Sequence, residues 1–228
     1  MNIAIIAAAG SGRRMKSDKN KQFLLIDKIP VLARTLGVFS NSEFIDGIVI
    51  TARKEDFESI NNLIDEYKIE KIFKITEGGK TRQQSVFNAL KEIPDNSYVL
   101  IHDGARPFVK EELISSLIST AYSFGAAVPG IIPKDTVCVV DENGQFKESM
   151  ERSKLRNIQT PQVFASRLIK EAHKKAAVEG RQFTDDCSLY HFYGGQVRII
   201  DGDENNIKIT VPNDVSLAEL ILKNKIGE

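Results

Sequence analysis

Apart from Met15 and Gln22, the run Ala7-Ala8-Ala9-Gly10-Ser11-Gly12-Arg13-Arg14-Met15, continued by Lys21-Gln22, holds side chains that are either very small or positively charged. Small side chains let a ligand approach the backbone, and successive amide N–H groups in a glycine-rich loop form a concavity for anions. Arg14 and Lys21 add positive charge that the backbone cannot supply. The chemistry this favours is the binding of a polyphosphate. Two familiar phosphate motifs do not fit. In the P-loop pattern counted from Gly10, Met15 stands where the second glycine belongs, and it also fills the third small position of the dinucleotide fingerprint.

A second loaded stretch is His102-Asp103-Gly104-Ala105-Arg106-Pro107. A carboxylate facing a polyphosphate loop suits Mg²⁺, which binds through one or two carboxylates together with substrate phosphates, so Asp103 is the expected metal ligand. A cap for the following turn is the plainer role for it. His102, alone beside a strand end, is expected to be packed or hydrogen-bonded. Gly78-Gly79, with Arg82 and Ser85 beyond, can bring amides and one hydroxyl against a flat base. Taken alone, that stretch is better explained as a helix N-terminus with a solvated Arg82. Arg152 and Thr160 flank the return of a hairpin, and Lys208 sits between Ile207 and Ile209, where a lysine either snorkels or points at an anion. Thr184-Asp185-Asp186 reads as an N-cap.

No nucleophile–base pair stands out. A reaction whose nucleophile is already an anion needs none, and a phosphate monoester, with a second pKa of about 6, is mostly a dianion at neutral pH. Attack by such an oxygen on the α-phosphorus of a nucleotide requires alignment, a divalent cation and positive charge on the developing negative charge.

The elements that must position these groups alternate. Apolar runs at Ile3–Ile6, Ile48–Ile50, Ile72–Ile75, Tyr98–Ile101 and Ala126–Ile132 read as strands. Helical periodicity falls between them, over Val31–Phe39, Glu55–Tyr67, Thr81–Leu90 and Glu111–Tyr122. The pattern predicts an α/β, Rossmann-like fold, an open and mostly parallel twisted sheet with helices on both faces. The loaded stretches all follow strands, at the carboxyl edge where such folds bind ligands. The alternation breaks at Thr136–Val140 and Gln145–Met150, a polar β-hairpin with its turn at Glu142-Asn143-Gly144. Extended and edge-exposed, it suits an arm that pairs with a second copy. Beyond it come the loop Gln159-Thr160-Pro161-Gln162, a helix over Arg167–Val178, strands at Val197–Ile200 and Ile207–Val211, and a closing helix over Asn213–Lys223. With no repeats or linker, one domain over residues 1–228 is expected, carrying an arm at about 136–157.

Among 228 residues, Lys+Arg and Asp+Glu both number 31. Zero net charge argues against a general nucleic-acid surface. No apolar run approaches the ~20 residues of a membrane span. The chain opens directly on a strand with no signal-peptide pattern, and its two cysteines, Cys138 and Cys187, show no metal-ligand spacing, so a cytoplasmic protein is expected.

Taken together and in order, these motifs resemble the 2-C-methyl-D-erythritol 4-phosphate cytidylyltransferase family of non-mevalonate isoprenoid biosynthesis. The likeness also covers Asp135-Thr136, Thr184-Asp185-Asp186 and Asn206-Ile207-Lys208-Ile209-Thr210, and so runs nearly end to end. It implies Mg²⁺-dependent transfer of CMP from CTP to methylerythritol phosphate with release of pyrophosphate. By position, Arg14 and Lys21 would stabilise charge on the triphosphate, while Arg152 and Lys208 would place the sugar phosphate. Ala8, Ala9, Gly10, Gly12, Gly79, Lys80, Ser85 and Gly104 would hold CTP, with Asp103 on Mg²⁺ and Arg106 beside it. Thr136, Thr160 and Thr184 would lie in the polyol phosphate site. The family is a homodimer with interlocking arms, so Arg152 is expected to reach the partner's site. Lys80 departs from members that carry an acid there, a change that a mainly backbone contact tolerates. The alternative acceptor is a pentitol phosphate such as ribitol 5-phosphate, whose enzymes share the scaffold but tend to carry Val where this chain has Ala105. A non-catalytic nucleotide sensor could discard Lys21, Asp103 and Lys208, and all three are present.

Overall fold

A computed structural model describes residues 1–10 and 21–226, with only the backbone described for 21, 225 and 226. β1 (Asn2–Ala7) is apolar throughout its centre and buried on both faces, as a central strand of a parallel sheet must be. A single 3₁₀ turn (Lys21–Phe23) leads into a two-stranded ribbon, β2 (Leu25–Ile26) and β3 (Ile29–Pro30). Asp27 and Lys28 close that ribbon at φ of 46° and 65°, the positive values that tight hairpin turns demand of both central residues. Pro30 then precedes α1 (Val31–Asn41). The alternation follows: β4 (Gly47–Ala52), α2 (Phe57–Glu66), β5 (Ile72–Glu77), α3 (Arg82–Leu90), β6 (Tyr98–Asp103), α4 (Glu111–Phe124) and β7 (Ala126–Ile131). Thr81 caps α3, its hydroxyl accepting the Gln84 amide at 3.1 Å. The hairpin expected between residues 136 and 150 is present as β8 (Cys138–Val140) and β9 (Phe146–Ser149), with all seven strand residues exposed. Asp141 organises its turn, its Oδ1 accepting the amides of Asn143 and Gln145 at 2.9 Å. The chain returns through β10 (Asn157–Ile158) and β11 (Gln162–Ala165), then α5 (Ser166–Glu179), α6 (Asp186–Phe192), β12 (Arg198–Asp201) and α7 (Pro212–Ile226).

In the main sheet β6, β1, β4 and β5 lie side by side and parallel. β11 is inserted antiparallel between β6 and β7, β10 continues antiparallel along β7, and β12 pairs parallel with β7. The sheet is thus open and mostly parallel, as the β-α alternation predicts. Helices cover both faces. On one, Leu36 and Phe39 of α1, Ile60 of α2 and Leu117 of α4 pack against Ile6, Ile50 and Leu100. On the other, Val86 and Leu90 of α3, Ile169 of α5 and Leu189 of α6 pack against Ile5, Val49 and Ile101. A third cluster joins Ala218 and Ile221 of α7 to Ile209, Ile26 and Phe108, and it holds the segment carrying Lys208 to the body of the fold. No described helix is long and apolar enough to cross a membrane.

One expected element is corrected. Ile207–Val211 forms no strand. Its ladder donors go elsewhere: the Ile209 amide donates to the Ala105 carbonyl at 2.9 Å, and the Thr210 and Val211 amides donate to the Asp214 carboxylate at 2.6 and 2.9 Å. β11 escapes a sequence reading because its four residues follow Thr160-Pro161 and begin with a polar Gln162.

Phe39 is fully buried under β6, with its ring centroid 4.9 Å from that of His102. Phe39→Ala is expected to cost about 3–5 kcal/mol in urea unfolding. Val178→Ala, at an 82% exposed position of α5, should stay within about 0.5 kcal/mol of the parent.

Candidate active site

The carboxyl ends of β1, β4, β5 and β6 are tied to each other just as they leave the sheet. The Ala8 amide donates to Thr51 O at 2.8 Å, Gly78 to Ala52 O at 2.8 Å and Gly104 to Ala7 O at 3.0 Å. Between the loops that follow lies a cleft of about 400 Å³, lined by Ala9, Gly10, Gly79, Ser85, Asp103 and Lys208 among others. Its walls approach so closely that a Cβ on Gly78 would stand 2.3 Å from the Ala9 Cβ, so glycine is required there. The Ser85 hydroxyl accepts the Gly79 amide at 3.0 Å and donates to the Thr81 carbonyl at 2.9 Å, which fixes the turn before α3.

The floor of the cleft is built around Asp103. Lys208 Nζ lies 2.8 Å from Oδ2, Arg106 Nε lies 3.6 Å from the same oxygen, and Arg82 Nε donates to Oδ1 at 3.2 Å. From below, the Asp103 amide donates to Thr160 Oγ1 at 3.1 Å, and that hydroxyl lies 3.0 Å from His102 Nδ1. The other ring nitrogen of His102 lies 3.0 Å from the Arg106 carbonyl. Burial pushes the fully enclosed His102 down to about 4, so at neutral pH it is an uncharged part of the frame. Arg82 reaches further, its Nη1 donating to Asp186 Oδ2 at 2.6 Å. A separate brace delivers Lys208: Arg106 Nη1 donates to the Asn206 carbonyl at 2.6 Å, and Asn206 Nδ2 donates to the Thr160 carbonyl at 2.9 Å.

Burial alone would raise the pKa of Asp103. Arg82, Lys208 and Arg106 outweigh it and hold the carboxyl far below the usual range. Burial is likewise overridden at Asp186, which Arg82 and His173 keep down to about 2. For Arg82 burial works against the charged form, but Asp186 and Asp103 prevail and raise its pKa. Lys208, Arg82 and Arg106 thus gather at Asp103, with Asp186 behind Arg82. Such a site offers an incoming polyanion cations that are already in place.

Of the residues singled out in the sequence, Ala9, Gly10, Gly79, Lys80, Ser85, Asp103, Gly104 and Lys208 line the cleft. Ala8 is buried directly behind it, and Arg106 and Thr160 support Asp103. Gly12, Arg14 and the side chain of Lys21 lie outside the described residues. The neighbouring Gln22 lines the cleft and donates from Nε2 to Asp56 Oδ2 at 3.2 Å. Arg152, Thr136 and Thr184 are exposed and do not line the cleft of this chain; Arg152 donates from Nη1 to the Lys134 carbonyl at 2.7 Å. Cys187 has its thiol pushed up to about 12 by burial and by Asp185 and Asp186, so it is no thiolate at neutral pH. Three residues of the site were missed by sequence reasoning. Arg82 reads as a solvated helix-start arginine, and Asp186 and Asn206, though they fall in quoted motifs, carry no local signal of their roles because their partners are 104 and 46 positions away.

The model of one family, "IspD: 2-C-methyl-D-erythritol 4-phosphate cytidylyltransferase", matches residues 2–224. The 2-C-methyl-D-erythritol 4-phosphate cytidylyltransferases of Clostridium novyi and Clostridium acetobutylicum are 42% and 44% identical to the chain. Each alignment covers 98% of this chain, with 97% of the first relative and 98% of the second. The crystal structure of 4-diphosphocytidyl-2C-methyl-D-erythritol synthase from Anaerococcus prevotii superposes with a TM-score of 0.86 at 34% identity, over 97% of this chain and 96% of that one. With its glycine-walled cleft, its ionised floor and matches that run nearly end to end, this chain belongs to the 2-C-methyl-D-erythritol 4-phosphate cytidylyltransferase family.

Proposed function

We propose that the protein transfers a cytidylyl group from CTP to 2-C-methyl-D-erythritol 4-phosphate. An oxygen of the acceptor phosphate bonds to the α-phosphorus, and the bond from that phosphorus to the bridging oxygen breaks on the opposite side. The electron pair leaves with pyrophosphate. No base is needed, because the attacking phosphate is already mostly dianionic at neutral pH. The observation that carries this reading is the convergence of Lys208, Arg82 and Arg106 on Asp103 at one cleft, supplied by three separate parts of the chain.

In this reading the amides and small side chains of Ala8, Ala9, Gly10, Gly12, Gly79 and Gly104, with Lys80 and the Ser85 hydroxyl, hold the nucleotide. Arg14 and Lys21 take the charge that develops on the triphosphate. Lys208 and Arg152 orient the acceptor phosphate, and Thr136, Thr160 and Thr184 belong to the polyol side of the site. Among the described residues no group of three His, Cys, Asp or Glu could hold a metal. A lone ionised carboxylate such as Asp103 fits an Mg²⁺ that arrives with the triphosphate rather than a resident ion. Once bound, such an ion would supply positive charge to the phosphoryl oxygens.

The same reading has the whole chain working as one nucleotidyltransferase unit in the cytoplasm, as a homodimer joined through its hairpin. What supports the dimer is exposed apolar surface on and beside β8 and β9: Phe146 at 67%, Val140 at 51% and Ile132 at 50%. Arg152, in the 3₁₀ turn that follows the hairpin, would then complete the site of the other subunit.

Product formation from CTP with methylerythritol phosphate should exceed that with ribitol 5-phosphate, and faster turnover of ribitol 5-phosphate would overturn the choice of acceptor. Lys208→Ala is expected to lower kcat by at least ~100-fold while leaving the unfolding midpoint near that of the parent. The parent should sediment at twice the monomer mass, and Phe146→Asp should shift it toward monomer; a parent that sediments as monomer refutes the arm as a dimer contact.

A further inference from the structure

The guanidinium of Arg82 is shared between two carboxylates. Nε donates to Asp103 Oδ1 at 3.2 Å and Nη1 to Asp186 Oδ2 at 2.6 Å. Asp186 opens α6 and its side chain is only 1% exposed. Its other oxygen lies 3.0 Å from His173 Nε2. His173 is itself enclosed, its ring stacked on that of Phe87 at 5.8 Å and nearly parallel to it, at 13°. α5 and α3 thus fix His173, His173 fixes Asp186, and Asp186 fixes one side of Arg82. None of Phe87, His173 and Asp186 lines the cleft.

An arginine beside a single carboxylate settles into a two-pronged pair that uses both oxygens. Here the second carboxylate prevents this. Arg82 gives Asp103 one bond only, and Asp103 Oδ2 is left to Lys208 at 2.8 Å. We propose that Asp186 is a positioning residue for cytidylyl transfer, holding Arg82 on Oδ1 of Asp103 so that the contacts of Lys208 and Arg106 with Oδ2 can exchange when the substrates enter. The proposal rests on the function assigned above. It gives a buried acid with no access to the ligand a part in the rate.

The test is a double-mutant cycle on the full-length enzyme, with CTP and methylerythritol phosphate as substrates. Asp186→Asn keeps the shape and removes the charge, so Arg82 can close on Asp103. It is expected to lower kcat by ~10–100-fold, in the range seen when a group that orients a site residue is lost. KM for CTP should stay within ~3-fold, since no substrate contact is removed. In an Arg82→Gln background the same change should alter kcat by less than ~2-fold, because the residue it acts through is gone. A merely structural role would give the same loss in both backgrounds, and that result, or an Asp186→Asn enzyme within ~2-fold of parental kcat, overturns the proposal. If Asp186→Asn does not fold, Arg82→Lys carries the test, because one ammonium cannot serve both carboxylates as the planar fork does. A ~10-fold or greater loss of kcat supports the proposal, and parental turnover overturns it. An inactive parent would instead overturn the assigned function, and this inference with it.

Discussion

Everything at the working end of this molecule depends on keeping one buried carboxylate ionised. Asp103 sits at the last position of a central strand, where water is largely excluded, and an isolated charge there would be neutralised by taking up a proton. It escapes that fate because three cations reach it. Each comes from a different place: Arg82 from the first turn of α3, Arg106 from the loop after β6, and Lys208 from the segment before α7. The carboxylate in turn holds the cations together against their mutual repulsion. Remove the acid and three positive groups face each other in a low-dielectric cleft; remove the cations and the acid protonates. The acid and the cations compensate one another, so the charges at the site balance only as a set.

That interdependence explains why overall charge says so little about what the protein binds. The chain is neutral in total, with 31 groups of each sign. In the proposed function, affinity for a polyanion comes from a local excess of cations on the cleft floor, placed where the dielectric is low and each charge counts for more. The sheet supplies the rigidity. The carboxyl ends of β1, β4, β5 and β6 are cross-tied by backbone hydrogen bonds immediately below the site, so the loops begin from fixed positions.

The sequence was most legible where local physics decides the outcome. Apolar runs such as Ile3–Ile6 and Val99–Ile101 can only be buried strands, and the amphipathic repeat of α2 can only be a surface helix, so the parallel sheet followed from pattern alone. Gly78 and Gly79 signalled a close approach, and a close approach is what they permit. The reading failed where tertiary partners decide. Arg82 has the local setting of any solvated helix-start arginine; what makes it a site residue is Asp186, 104 positions later. The alternation of Ile207, Ile209 and Val211 resembles a strand, but Ala105 takes the Ile209 amide and Asp214 those of Thr210 and Val211. β11 is short and follows a proline, and only the gap between β6 and β7 makes it a strand.

The missing strand at 207–211 is itself informative. Asp103, at the end of a central strand, is held by its ladder with β1 on one side and by the Thr160 hydroxyl on the other. Lys208 is held differently. Its neighbour Ile209 is buried in the α7 cluster, and Asn206 is braced by Arg106 and Thr160. Between those two anchors the side chain stays about one-third exposed. Exchanging Asp103 Oδ2 for an oxygen of an incoming phosphate would leave its charge compensated throughout and would break no sheet hydrogen bond. An ammonium, with three freely rotating donors on a flexible stem, suits that exchange better than a planar fork. The planar fork is used instead at Arg82, where two fixed carboxylates must be bridged at once. The choice of lysine at one contact of Asp103 and arginine at another thus follows from which partner has to change and which has to stay.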